Sequence, residues 1–118
     1  MAKILIVDDS RTSRKMLKEI FENGGHEVIG EASNGEEGVI LYKECKPDVV
    51  TMDITMPNMN GLEALMCIKK EDRNSKVIMI TAAGQKEKML QAIKEGADDF
   101  ITKPFDADQI LGAIERVL

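Results

Sequence analysis

Residues 4–9 read Ile-Leu-Ile-Val-Asp-Asp, four aliphatic residues followed at once by two aspartates. An unbroken aliphatic run of this length is typical of a strand that is buried on both faces of a parallel sheet. Residues 49–52 form a second run of this kind, which ends at Asp53, and residues 77–81 form a third, which ends in a threonine. Polar side chains that follow parallel strands lie at the same edge of a sheet, so these stretches predict both a fold and a site.

The rest of the chain alternates short apolar runs with amphipathic stretches, which is typical of βαβ units on a parallel sheet. Two shorter, mixed runs at residues 27–31 and 99–102 fit edge strands. Helices are predicted over residues 11–23, from Asn34 onward, over 61–70, over 85–95 and after Asp106. The side chains expected on their core-facing sides are Met16, Leu17, Ile20, Phe21, Leu62, Leu65, Met66, Ile68, Met89, Leu90, Ala92, Ile93, Ile110, Ala113, Ile114 and Val117.

Five strands whose second and fifth members are edges suit the order 2-1-3-4-5, although hydrophobicity alone leaves other orders with the same edges open. The predicted fold is therefore α/β, a doubly wound five-stranded parallel sheet with helices on both faces, in one domain spanning residues 1–118. In that order the chain reverses direction between strands one and three, and ligands bind outside the carboxyl ends of the strands at such a point.

Composition narrows the classes of partner. The net charge of −5 and the pI of about 4.9 argue against binding to nucleic acid or to an anionic membrane surface. The chain has no signal-peptide pattern and no apolar run of the roughly 18 residues that span a bilayer, so a cytoplasmic location is expected. Cys45, Cys67 and the single His26 are too few for a zinc site, and His26 is expected to be a solvated turn residue.

Five polar residues converge at the predicted switch point: Asp8, Asp9, Asp53, Thr81 and Lys103. Three carboxylates at one place repel one another unless a divalent cation or a proton relieves them, and Mg²⁺ prefers such oxygen ligands. An aspartate can also act as a nucleophile towards phosphorus and form an acyl phosphate. A lysine and a hydroxyl nearby would stabilise the charge on a transferred phosphoryl group.

The stretches that carry these residues resemble the signature of two-component response-regulator receiver domains. They are Val7-Asp8-Asp9, Thr51-Met52-Asp53-Ile54-Thr55-Met56-Pro57, Asn60-Gly61, Thr81-Ala82 and Lys103-Pro104-Phe105, at the spacing that the family uses and across the whole chain. The family has the flavodoxin-like (CheY-like) strand order 2-1-3-4-5, so this topology is not an independent prediction once the family is named.

The resemblance implies that Asp53 accepts phosphate from a phosphohistidine on a sensor histidine kinase or a phosphotransfer protein. Asp8 and Asp9 would hold Mg²⁺, or Mn²⁺ in its place, together with Asp53 and the backbone carbonyl of Thr55.

The resemblance also implies a switch. Thr81 and Lys103 would contact the phosphoryl group, and the peptide bond between Lys103 and Pro104 would be cis. Phosphorylation would draw Thr81 towards the phosphate, Phe100 would swing inward, and the face formed by the fourth helix, fifth strand and fifth helix would change its affinity for an output protein.

The stretch from Thr51 to Gly61 and the sequence Ala83-Gly84-Gln85 are similar to stand-alone, chemotaxis-type receivers. We therefore expect a monomeric signalling protein, with the flagellar motor switch as its target and no turnover of an external substrate. A single-domain receiver of another phosphorelay, or a receiver cut from a longer DNA-binding regulator, is the alternative.

Three other classes share parts of the pattern. A flavin-binding electron carrier would have a Ser/Thr-rich phosphate loop after the first strand, where this chain has two aspartates. A haloacid-dehalogenase-like phosphatase would have an Asp-x-Asp pattern there. A receiver fold used only for docking would not need all five polar residues, which this chain retains.

Overall fold

The computed structural model describes residues 1–118, and it has a five-stranded parallel sheet in the order β2-β1-β3-β4-β5. The predicted α/β class, strand order and edge strands are therefore confirmed. The elements, in chain order, are β1 (Lys3–Val7), α1 (Arg11–Asn23), β2 (Glu27–Ala32), α2 (Gly35–Cys45), β3 (Val49–Asp53), α3 (Gly61–Glu71), β4 (Val77–Ala82), α4 (Lys86–Lys94), β5 (Asp99–Lys103) and α5 (Ala107–Val117).

Alternation along the central strands divides the core into two layers. In β1, Leu5 and Val7 face the layer that α2, α3 and α4 cover, while Ile4 and Ile6 face the layer that α1 and α5 cover. All four side chains are at most 1% exposed, because each face of the strand is covered by helices. The continuous aliphatic run at residues 4–7 is explained by this double coverage.

Side-chain caps start four of the five helices. Ser10, Asn34, Asn60 and Asp106 each accept a hydrogen bond from the backbone N–H three residues later. The pairs at Asn60 and Asp106 are full capping boxes. The predicted box at Asn34 is only half formed, because the Glu37 carboxylate accepts instead from Ser33 N at 3.1 Å.

Four apolar helix residues were assigned wrongly to the core. Met16, Met66, Leu90 and Ile93 are 45–57% exposed, although their neighbours in the same helices are buried. The apolar stripe of a helix is wider than the surface that the sheet covers, so hydrophobic spacing does not distinguish the centre of the stripe from its flank. The predicted face of α5 is confirmed, with Ile110, Ala113, Ile114 and Val117 all buried.

The His26 ring is not simply a solvated turn side chain, because its Nδ1 accepts a hydrogen bond from Ala2 N at 3.0 Å. This contact links the start of β1 to the turn before β2.

Among the helices, none has both the length and the apolar character required to cross a membrane.

Candidate functional site

The polar residues at the carboxyl edge of the sheet are placed by strand alternation and register. Asp8 follows Ile6 by two residues and Asp53 follows Thr51 by two, and Ile6 and Thr51 are partners in the pairing of β1 with β3. Both carboxylates therefore lie on the side of the sheet that α1 and α5 cover. Lys103 reaches the same side because it follows the core residue Ile101 by two positions in β5.

Three carboxylates meet at this edge. One oxygen each from Asp8, Asp9 and Asp53 lies within 4.8 Å of the other two. Asp8 is 1% exposed and Asp53 is 7% exposed, whereas Asp9 is exposed to solvent. The cluster thus has a buried base formed by two carboxylates and an open side at Asp9.

A single ammonium group faces these acids. Lys103 Nζ lies 3.1 Å from Asp8 Oδ2 and 3.8 Å from Asp53 Oδ2, so it forms a salt bridge to each. It also lies 3.5 Å from Ser13 Oγ. One lysine cannot neutralise three carboxylates, and the cluster keeps an excess of negative charge.

The excess negative charge contributes to a raised pKa of the Asp53 carboxyl. Burial raises the pKa of the Asp53 carboxyl from its ordinary value of 3.8 to about 6, and repulsion from Asp8 and then Asp9 acts in the same direction. The positive charge of Lys103 and a hydrogen bond from the Ile54 backbone act against this shift of the pKa. Asp53 is therefore an acid whose ionised form needs a cation close by.

The donor set fits a hard divalent cation. Mg²⁺ binds oxygen ligands at roughly 2.1 Å, so two oxygens on opposite sides of the ion are roughly 4 Å apart. In octahedral coordination at that distance adjacent oxygens are about 3 Å apart, so the three carboxylate oxygens, all within 4.8 Å of one another, would move closer together to bind one ion. The chemistry of the ligands and their separation are consistent with the predicted metal site.

The loop after β3 carries Thr55, the predicted source of a carbonyl ligand. Gly61 N donates to Ile54 O at 2.7 Å and closes the loop, and a Cβ at position 61 would lie only 2.0 Å from Asp53 O. Only glycine permits this close approach. The Thr55 carbonyl accepts no hydrogen bond from a backbone N–H, so its oxygen is available for another partner.

Thr81 and Phe100 do not join the acidic cluster in this structure. Thr81 lies one residue beyond Ile80, the β4 partner of Asp53, and is 1% exposed. Its hydroxyl donates to the Ala82 carbonyl at 3.4 Å rather than to a carboxylate. Phe100 is 40% exposed on β5. The peptide bond between Lys103 and Pro104 is cis, as the resemblance implies.

Two residues that contact the site were missed from the sequence. Ser13 lies beside Lys103, and Arg14 Nη1 donates to the backbone carbonyl of Asp8 at 2.7 Å. A signal for both existed, because they precede the buried Leu17 by four and three residues and share its side of α1.

Comparisons with known proteins agree with this geometry. The response regulator receiver domain family matches residues 4–115. The chain is 52% identical to the chemotaxis protein CheY of Thermotoga maritima over 98% of this chain and 96% of that protein. It is 51% identical to CheY of Bacillus subtilis over 98% of this chain and 97% of that protein.

Among solved structures, a chain in the CheX–CheY–BeF₃–Mg²⁺ complex from Borrelia burgdorferi superposes with a TM-score of 0.93. The two chains are 42% identical, and the match covers 98% of this chain and 87% of that one. The sequence, the strand order and the acidic edge thus lead to one conclusion: this chain belongs to the response regulator receiver domain family, the phosphorylation-activated signalling domains of two-component pathways.

Proposed function

We propose that the side chain of Asp53 is the phosphoacceptor. A carboxylate oxygen of Asp53 would attack the phosphorus of a phosphohistidine on a sensor histidine kinase or a phosphotransfer protein. A new O–P bond forms, the N–P bond breaks, and its electron pair stays on the histidine nitrogen. The observation that carries this proposal is the position of Asp53, which lies within the acidic triad and 3.8 Å from Lys103.

We further propose that Asp8, Asp9, Asp53 and the Thr55 carbonyl hold Mg²⁺, for which Mn²⁺ can substitute. When bound, the cation would neutralise the acids and the developing charge of the phosphoryl group. Lys103 would then exchange part of its contact with Asp8 for a phosphoryl oxygen, which requires only a small movement because both salt bridges already meet at its Nζ. Water would also hydrolyse the acyl phosphate without a second protein.

Covalent labelling tests the phosphoacceptor. Purified protein is incubated with acetyl phosphate and Mg²⁺, and the intact mass is measured. We expect one phosphoryl group per wild-type chain and none on Asp53→Asn. Asp108→Asn is the matched control, because Asp108 is exposed in the first turn of α5, and it should be labelled like the wild type. Retained labelling of Asp53→Asn would refute the assignment.

We propose that the switch acts through Thr81 and Phe100 on the face formed by α4, β5 and α5. Support comes from large apolar side chains that this face leaves exposed, since Leu90 is 57%, Ile93 45% and Phe100 40% exposed. Leu90 and Ile93 are three residues apart in α4 and so lie on one side of that helix, and a group of exposed apolar side chains is typical of a docking site for a protein. A turn of the Thr81 hydroxyl towards the phosphate would leave space that the Phe100 ring can fill.

The switch is tested by measuring BeF₃⁻ binding separately from the conformational change that follows it. Thr81→Ala and Phe100→Ala should still bind BeF₃⁻, a mimic of the phosphoryl group, but NMR shifts of α4 and α5 amides should move less than in the wild type. Shifts of wild-type size in both variants would contradict the switch.

The same BeF₃⁻ samples should remain monomeric in size-exclusion chromatography coupled to light scattering.

We propose chemotaxis as the pathway, with the flagellar motor switch as the output partner, on the strength of the similarity to CheY proteins. Complementation tests this. Expression of the chain in Bacillus subtilis lacking its own CheY should restore spreading in soft agar, and Asp53→Asn should not. Failure of an expressed, phosphorylatable chain to restore spreading would favour the receiver of another phosphorelay.

A further inference from the structure

The acidic triad contains two neighbouring aspartates that are held very differently. Every polar group of Asp8 has a partner: its N–H donates to Ala32 O at 3.0 Å, its Oδ1 accepts from Ser10 N at 2.8 Å, and its Oδ2 faces Lys103. The Asp9 side chain is exposed and has no hydrogen bond or salt bridge. The position of the Asp9 carboxylate therefore depends on the backbone that precedes it.

The peptide group between the two aspartates has one side-chain partner. Its oxygen is the Asp8 carbonyl, which accepts from Arg14 Nη1 at 2.7 Å. A rotation of this peptide would move Asp9 away from Asp8 and Asp53, and it would also break the Arg14 hydrogen bond. Since a hydrogen bond from a charged donor is stronger than one between neutral groups, Arg14 opposes that rotation.

Arg14 is itself fixed in place. It lies in the first turns of α1, its side chain is only 18% exposed, and its Nε lies 3.5 Å from Glu31 Oε1 at the end of β2. Lys18 Nζ lies 3.9 Å from the other Glu31 oxygen. Glu31 also precedes Ala32, whose carbonyl accepts from Asp8 N. One end of β2 thus supports Asp8 directly and through Arg14.

From this geometry we propose that Arg14, oriented by Glu31, is a positioning residue that aims the Asp9 carboxylate at the divalent cation. The inference rests on the proposed metal site and adds to it a residue outside the ligand set. Partners of metal ligands commonly change affinity by 10- to 100-fold when they are removed.

Direct metal binding tests the inference. The dissociation constant for Mn²⁺ is measured by electron paramagnetic resonance on folded protein without a phosphodonor. We expect Arg14→Met to weaken Mn²⁺ binding by roughly 10- to 100-fold, Arg14→Lys to recover part of the loss, and Glu31→Gln to lose less than Arg14→Met. Lys15→Met is the matched control, because it removes the same charge from an exposed neighbour in α1, and it should stay within about twofold of the wild type.

A second readout separates positioning from a general loss of structure. If Arg14 acts only through metal affinity, acetyl phosphate labelling of Arg14→Met should be slow at low Mg²⁺ and approach the wild-type rate at saturating Mg²⁺. Labelling that stays slow at saturation would overturn the inference, as would equal Mn²⁺ affinities for Arg14→Met and Lys15→Met. Absence of Mn²⁺ binding to the wild type would overturn the metal site itself and this inference with it.

Discussion

Aspartates at the two edges of the sheet have different kinds of partner. At the amino edge, Asp48 Oδ2 accepts from Lys3 N and Asp98 Oδ2 accepts from Val77 N, both at 2.8 Å, so each carboxylate caps the first N–H of a neighbouring strand. At the carboxyl edge, Asp8, Asp9 and Asp53 face one another and a single lysine.

The difference follows from the direction of parallel strands. Their amino ends present unpaired N–H groups, which carboxylates satisfy, whereas their carboxyl ends present C=O groups, which cannot donate to a carboxylate. Acids at the first edge therefore contribute to stability. Acids at the second edge repel one another unless a cation or a proton lies between them, and this repulsion is the basis of the proposed site.

The largest effect on stability is expected at the amino edge. Asp98→Ala would leave the Val77 N–H without its carboxylate and Lys69, whose Nζ lies 2.9 Å from Asp98, without its ion pair. The Lys69 side chain is only 15% exposed, so we expect the free energy of unfolding to fall by about 3 kcal/mol. Urea denaturation measures this. Acetyl phosphate labelling of the folded variant should not change.

Its control is Asp108→Ala, an exposed aspartate whose loss should change the free energy of unfolding by no more than about 0.5 kcal/mol. Equal effects of the two substitutions would remove the contrast between the edges.

The carboxyl edge should respond with the opposite sign. The pKa of Asp53 is raised from 3.8 to about 6, so the folded state binds the proton more tightly than the unfolded chain does. Its contribution to stability is complete below pH 3.8 and is lost as the pH rises through about 6. Asp53→Asn removes the charge, and in EDTA above pH 7 it should therefore stabilise the protein by up to about 3 kcal/mol.

Urea denaturation across this pH range measures the difference. The gain of Asp53→Asn over the wild type should disappear at acidic pH, where both side chains are neutral. A gain that is the same at all pH values would show that packing, rather than charge, is responsible.

A bound cation should reduce the repulsion between the carboxylates of the wild-type protein. Since the proposed Mg²⁺ site exists only in the folded state, a Mg²⁺ concentration ten times the dissociation constant should stabilise the fold by about 1.4 kcal/mol. Thermal unfolding with and without Mg²⁺ measures this. Asp9→Asn should show a much smaller increase, since Asp9 contributes to the cluster but has no other contact. A wild-type melting temperature that does not change over millimolar Mg²⁺ would contradict the site.

The smallest effect is expected at a partly buried hydrogen bond from a tyrosine to a carboxylate near the amino edge. The Tyr42 hydroxyl donates to Asp72 Oδ2 at 3.1 Å, and burial together with this carboxylate raises the pKa of Tyr42 to about 12. Tyr42→Phe should lower the free energy of unfolding by about 1 kcal/mol and leave labelling and Mg²⁺ affinity unchanged. Altered Mg²⁺ affinity would mean that the two ends of the sheet are coupled.

Particular residues show which features of the fold could be predicted from the sequence. The aliphatic run at residues 4–7 and its aspartates predicted a buried strand with a functional site at its end. The buried strand is confirmed and the three carboxylates do meet there, while the function of that cluster stays a prediction. The exposure of Leu90 and Met66 was not foreseen, because helical spacing records only that a residue is apolar and not how far a neighbouring element covers it.

The sequence by itself determined the α/β class, the edge strands and the convergence of Asp8, Asp9 and Asp53, since these depend on local patterns and on the common direction of parallel strands. Only the tertiary structure decided that Lys103 forms salt bridges to two acids, that Arg14 donates a hydrogen bond to the Asp8 carbonyl, and that burial raises the pKa of Asp53. The physical reason is that hydrogen bonding and electrostatic interaction depend on distances of a few ångströms between residues far apart in the chain, and strand patterns do not contain those distances.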